Sequence, residues 1–211
     1  MSIKNIVERQ YRKFSVAEGS QFIASEYALY KILSLIEKFE PKTILEAGVG
    51  IGTISDSILR THYSSNLKVY GTESNAFCLE QLPLNMGEKY NSLHLYPDIQ
   101  SLPEELKFDF IIIDGKEEAL ASLKKNMKNR CIIVIEGDRR DQTEIITNLF
   151  SHSKFVHSIT SKRNNIYSNR PKYNFQGGLK IIFTNPDLKQ KVEWLKLKMA
   201  SKIHFQLRKF I

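Results

Sequence analysis

The chain has 211 residues, 42% of them apolar and 26% charged, enough for one well-cored domain and short for two. The net charge of +8 is concentrated in residues 1–21, 161–176 and 187–211, leaving the rest net acidic; this excludes a uniformly basic, nucleic-acid-type surface. Two distant cysteines, Cys78 and Cys131, argue against a disulfide framework or a zinc site. There is no signal-type N-terminus and no apolar run of membrane-spanning length, so a cytoplasmic location is expected.

In chain order, apolar residues at helical spacing predict helices over 3–14 and 22–39, the second ending before Pro41. Strands are expected at 43–47, 67–73, 92–97, 108–114 and 131–136. They alternate with helices at 53–62, 76–88, 117–128 and 140–151, and a weaker one near 101–106. Residues 110–113 and 132–135 are apolar throughout, as strands covered on both faces must be. A strand at 154–160, a polar loop, a strand at 178–184 and a helix from Asp187 complete the chain. The pattern predicts an α/β fold: a Rossmann-like, doubly wound sheet of seven strands with an antiparallel last strand, helices on both faces and extra helices at each end. One compact domain is expected, with helices 1–40 packed on a ligand-binding body, 41–186, and a basic amphipathic helix, 187–211.

The most informative stretch is 42–52, where Ile44 and Leu45 lead to Glu46 and then to glycines at 48, 50 and 52. A buried strand turns there into a helix through a turn stripped of side chains, so that a ligand can touch backbone. A dinucleotide turn, G-x-G-x-x-G, needs a third glycine where Thr53 stands, and a P-loop needs a lysine after Gly52. The pattern Glu-x-Gly-x-Gly-x-Gly resembles the first motif of class I S-adenosylmethionine-dependent methyltransferases. Glu73 closing the second strand, Asp98 with Ile99 closing the third, and Asp114-Gly115 closing the fourth extend the resemblance across 42 to about 136, closest to small-molecule O-methyltransferases.

The resemblance implies S-adenosyl-L-methionine as cofactor. Gly48, Gly50 and Gly52 would meet its methionine half and Glu46 its amino group. Glu73 would take the ribose hydroxyls, and Asp98 with the Ile99 backbone the adenine, with Asp114 beside them. Oxygen acceptors need a base or a metal; Asp114, Lys116 and Asp138 are the candidate catalytic residues. Asp114, Glu136 and Asp138 are also candidates for Mg²⁺, but the Glu-Gly-Asp order departs from the Asp-Asn or Asp-Asp of metal-dependent relatives. Arg139 and Arg140 are suited to pair with these acids, which favours a metal-free site. All five histidines read as packing or surface residues.

The loop 161–176 carries Lys162, Arg163, Arg170 and Lys172 among Tyr167, Tyr173 and Phe175. On a parallel sixth strand it lies at the cofactor end, and its length suits a lid or binding loop over a small anionic or aromatic acceptor. An RNA methyltransferase and a non-catalytic binding module that keeps the fold are the alternatives; no clear nucleic-acid partner is implied. In the last helix, Leu188, Val192, Leu195, Met199, Ile203 and Phe210 form one stripe, expected to pack inward. Trp194, Leu197 and Phe205 are then left outward for a homodimer, favoured because this side is narrow and only moderately hydrophobic, or for a peripheral contact with an anionic membrane.

Overall fold

The computed structural model describes residues 2–61, 66–117, 119–137 and 139–210; His62 and the candidate Asp138 lie outside them. Two helices, α1 (Ile3–Ser15) and α2 (Glu26–Phe39), precede β1 (Thr43–Ala47). Then follow α3 (Thr53–Arg60), β2 (Lys68–Thr72), α4 (Ala76–Met86), β3 (Leu93–Tyr96), β4 (Phe108–Ile113), β5 (Met127–Glu136), α5 (Arg140–Leu149), β6 (Lys154–Ser158), β7 (Leu179–Phe183) and α6 (Leu188–Leu207). The seven strands make one sheet in the order β3-β2-β1-β4-β5-β7-β6, and β7 runs antiparallel to both of its neighbours.

Alternation along the central strands divides the core. Ile44, Phe110, Ile112, Ile132 and Val134 face a layer containing α1, α2 and α3. Leu45, Ile111, Ile113, Ile133 and Ile135 face the opposite layer with Ile146 of α5. The N-terminal helices belong to the first layer through Ile6, Val7, Leu29 and Leu33. Polar bonds fix their position as well. Asp56 of α3 is fully buried and accepts from Gln10 at 2.7 Å, Lys13 at 2.9 Å and Arg60 at 2.8 Å. Stripping partners from such a buried charge costs about 3–5 kcal/mol, so this cluster binds α1 to the helix that follows the glycine turn.

Two expected helices do not form. Residues 101–106 are turns, because the Asn126 side chain takes the carbonyls of Pro103 at 2.8 Å and Leu106 at 3.0 Å. In place of a helix over 117–128 there is a 3-10 segment, Leu120–Asn126, whose Leu120 and Leu123 are buried. A three-residue repeat is enough to cover that part of the sheet, and β5 therefore begins at Met127.

The orientation of α6 also corrects the sequence reading. Its inward side is Gln190, Trp194, Leu197, Ser201, His204 and Arg208, while Leu188, Met199 and Ile203 are 77%, 64% and 59% exposed. The reason lies in the edge strand and the residues that directly follow it. β6 pairs on one side only, and unpaired edge groups need partners. Trp194 Nε1 donates to the Phe155 carbonyl at 2.8 Å, and Ser201 Oγ accepts from the Ile159 amide at 3.4 Å. Arg208 Nε donates to the Thr160 carbonyl at 2.7 Å. Backbone satisfaction outweighs apolar area and turns the larger stripe to solvent.

Candidate active site

The site is built at the carboxyl ends of β1, β2, β4 and β5, where open α/β sheets place their ligands. β1 ends in a turn whose three glycines all have positive φ, and α3 starts directly after Gly52. Gly48 has φ +85, and a Cβ there would stand 2.5 Å from the Gly115 nitrogen. Gly50 has φ +58, and a Cβ there would meet no atom of the described residues within 4 Å. One glycine is thus required by the chain itself, and the other leaves backbone open to a neighbouring cavity of about 190 Å³. That cavity is lined by Gly19, Phe22 and Ile23 from the segment between α1 and α2, by Val49, Gly50 and Thr53, by Phe77 and Cys78, and by Asp114.

Glu46 is fully buried beside the turn. Its Oε2 accepts from the Ser55 hydroxyl, whereas Oε1 meets no donor among the described residues. Burial pushes this carboxyl up to about 8, although the Ser55 contacts pull the other way. A second buried oxygen without a partner, Thr53 Oγ1, belongs to the cavity lining. Both are the kind of orphan that a polar or cationic ligand satisfies.

Glu73 follows β2, and its carboxylate is held by three backbone amides: Gly50 at 2.7 Å, Ser74 at 2.9 Å and Asn75 at 2.8 Å. Two carboxylate oxygens offer about four acceptor positions, so one remains for a hydroxyl donor. Asp98 is exposed and accepts from the Ser101 amide and hydroxyl, bonds that hold its carboxyl below its ordinary value. It opens a turn and is not part of the cavity wall. Ile99 places its side chain in the core layer that contains Ile146 of α5. Glu117, not singled out from sequence, is pushed up by burial and then by the charges of Glu73 and Asp98.

On the other side of the turn, Asp114 and Glu136 close the adjacent strands β4 and β5, one step beyond the paired Ile113 and Ile135. Asp114 is raised well above its ordinary value by burial, then by the charges of Glu136 and Glu46. Burial also raises Glu136, which is 7% exposed, against the pull of Arg170 and Arg139 and a 3.4 Å bond from the Ser25 amide. Arg139 stands 3.8 Å from Asp114 Oδ1 and donates to the Asp114 carbonyl at 2.6 Å. Lys116 is exposed and does not line the cavity. Among the described residues no group of three His, Cys, Asp or Glu is arranged to hold a metal ion.

Sequence reasoning placed the loop of Arg170 at this end of the sheet but paired neither Arg170 nor Ser25 with Glu136. Ser25 comes from the cap of α2 and Arg170 from the loop 161–176, each far from Glu136 in the chain. That loop is a hairpin-like excursion, joined across Arg163 and Phe175 and tied to the α2 region. Tyr167 donates to Glu26 at 2.9 Å, and Arg170 donates to the Ile23 carbonyl at 3.1 Å. The sole advance signal was the clustering of cations with aromatics in a long connection.

No family model and no curated protein sequence matches the chain. Solved structures do. An O-methyltransferase from Bacillus cereus, in complex with S-adenosylhomocysteine, is 14% identical; the match covers 85% of this chain and 90% of that one, with a TM-score of 0.57. A Podospora anserina methyltransferase with S-adenosylhomocysteine bound is 12% identical over 86% and 88%, with a TM-score of 0.60. A Pyrococcus horikoshii protein described as a candidate RNA methyltransferase is 12% identical over 86% and 100%, with a TM-score of 0.55. The chain has the class I methyltransferase fold.

Proposed function

We propose that the chain is an S-adenosylmethionine-dependent methyltransferase acting on an oxygen of a small, anionic or aromatic acceptor. The observation that carries this reading is the pair Asp114 and Glu136, two shielded carboxyls on adjacent strand ends, with Asp114 lining the cavity beside the glycine turn. The residues present fit the cofactor. The orphaned Oε1 of Glu46 would take its ammonium group, the open backbone at Gly50 its close approach, and Glu73 its ribose. When bound, it supplies an electrophilic methyl group.

The chain's own contribution is to position the acceptor and to take its proton. Burial and mutual repulsion keep a proton on the Asp114–Glu136 pair at a pH where an isolated carboxyl has lost it. A carboxylate raised in this way is a stronger base, and once ionised the pair accepts the proton of an acceptor hydroxyl. Arg139 and Arg170 limit the rise and offer cationic contacts to an anionic acceptor. Phe22 and Phe77 of the cavity wall, both exposed, offer apolar faces that suit an aromatic ring.

The test is transfer of isotopically labelled methyl to a panel of phenols, hydroxy acids, phosphorylated sugars and RNA, together with calorimetry of S-adenosylhomocysteine. Binding in the micromolar range and labelling of an acidic or phenolic hydroxyl, lost in Asp114→Asn, is expected. Absence of cofactor binding overturns the reading, and labelling of RNA alone replaces its acceptor.

A further inference from the structure

The outward face of α6 takes no part in the site, and none of the described residues covers it. With 100° per residue, Leu188, Val192, Leu195, Met199 and Ile203 fall within one arc, opposite the inward Leu197 and Ser201. All five are more than two-fifths exposed. Lys191, Lys198 and Lys202 border this arc on one side, Lys189 and Lys196 on the other, and every one of them is exposed.

The two acids at this helix are committed elsewhere: Asp187 caps it and pairs with Arg130, and Glu193 pairs with Lys38. The outward surface of a 20-residue helix, about 30 Å long, is therefore an apolar centre between two cationic margins. No described helix is long and apolar enough to cross a membrane, so a membrane contact here would lie in plane.

We propose that α6 lies flat on an anionic lipid surface, its apolar arc among the acyl chains near the headgroups and its lysines on the phosphates. Charge decides between occupants. A second copy laid against this face would bring lysine margins against lysine margins with no acid between them, whereas an anionic bilayer complements both margins at once. The arc points directly away from the sheet, so docking requires no rearrangement of the fold.

The experiment is co-sedimentation of the full chain with phosphatidylcholine vesicles and with vesicles that also contain phosphatidylglycerol, alongside light scattering of the free protein. Binding to the second kind only, weakened by salt, is expected. Replacing Lys191, Lys198 and Lys202 by Gln should lower the partition constant about fivefold per lysine. Met199→Asp should abolish binding while leaving the melting temperature unchanged, since Met199 is exposed. Failure to bind phosphatidylglycerol vesicles, or equal binding to both kinds, overturns the proposal. So does a dimer that Met199→Asp dissociates, which would assign the face to a second copy.

Discussion

Gly48 and Gly115 touch backbone to backbone: a Cβ on Gly48 would sit 2.5 Å from the Gly115 nitrogen and 2.6 Å from its Cα. The contact brings the turn after β1 against the turn after β4, and so places Asp114 beside the glycine turn. Gly48→Ala should therefore destabilise the fold by about 2–5 kcal/mol, combining overpacking with left-handed strain. Gly50→Ala, which meets open space, should cost only about 1–2 kcal/mol yet remove S-adenosylhomocysteine binding. Denaturant melts and calorimetry on both variants separate the two roles; equal losses of stability would contradict the assignment.

Glu46 links ligand affinity to pH. Its folded value is raised from 4.5 to about 8, so the native chain holds a proton that the unfolded chain releases. Its contribution to stability falls as pH rises from 4.5 towards 8. A cation beside Oε1 favours the ionised form, so ligand binding below that pH expels the proton. Affinity for S-adenosylhomocysteine should rise from about pH 6 to about pH 8, by up to about tenfold per unit, until the ligand's own amine deprotonates. Glu46→Gln should weaken binding and flatten the profile. A flat profile in the unmodified chain would remove Glu46 from the ammonium site.

Arg170 bears on the proton-accepting pair. Its charge holds Glu136 and Asp114 lower than burial alone would leave them. Arg170→Met should raise both, and the rising limb of the pH–rate profile should move to higher pH, with kcat at low pH falling while the plateau is retained. An unmoved limb would remove Arg170 from the pair, whereas a KM raised at every pH is the separate mark of its contact with an anionic acceptor.

The sheet was legible because its signal is local: residues 110–113 and 132–135 alternate between two buried layers, and only a doubly covered strand tolerates that. The glycine turn was legible for the same reason. The meeting of Ser25, Glu136 and Arg170 was not, because those residues converge through packing and no spacing encodes it. The orientation of α6 misled because apolar periodicity favours the longer stripe inward. What decided it was the backbone of β6 and of Ile159 and Thr160 after it, a property of strand order that the helix sequence does not contain.

Cys78 lines the cavity, whereas Cys131 is fully buried. Both thiols are raised by burial, Cys131 much the further, so an alkylating reagent in mildly alkaline buffer should mark position 78 alone. The chain thus carries a reporter of occupancy at its own pocket wall. The rate at which that one thiol is modified should fall as a ligand fills the cavity, which allows untagged protein to be screened against cofactors and acceptors without knowing the reaction in advance.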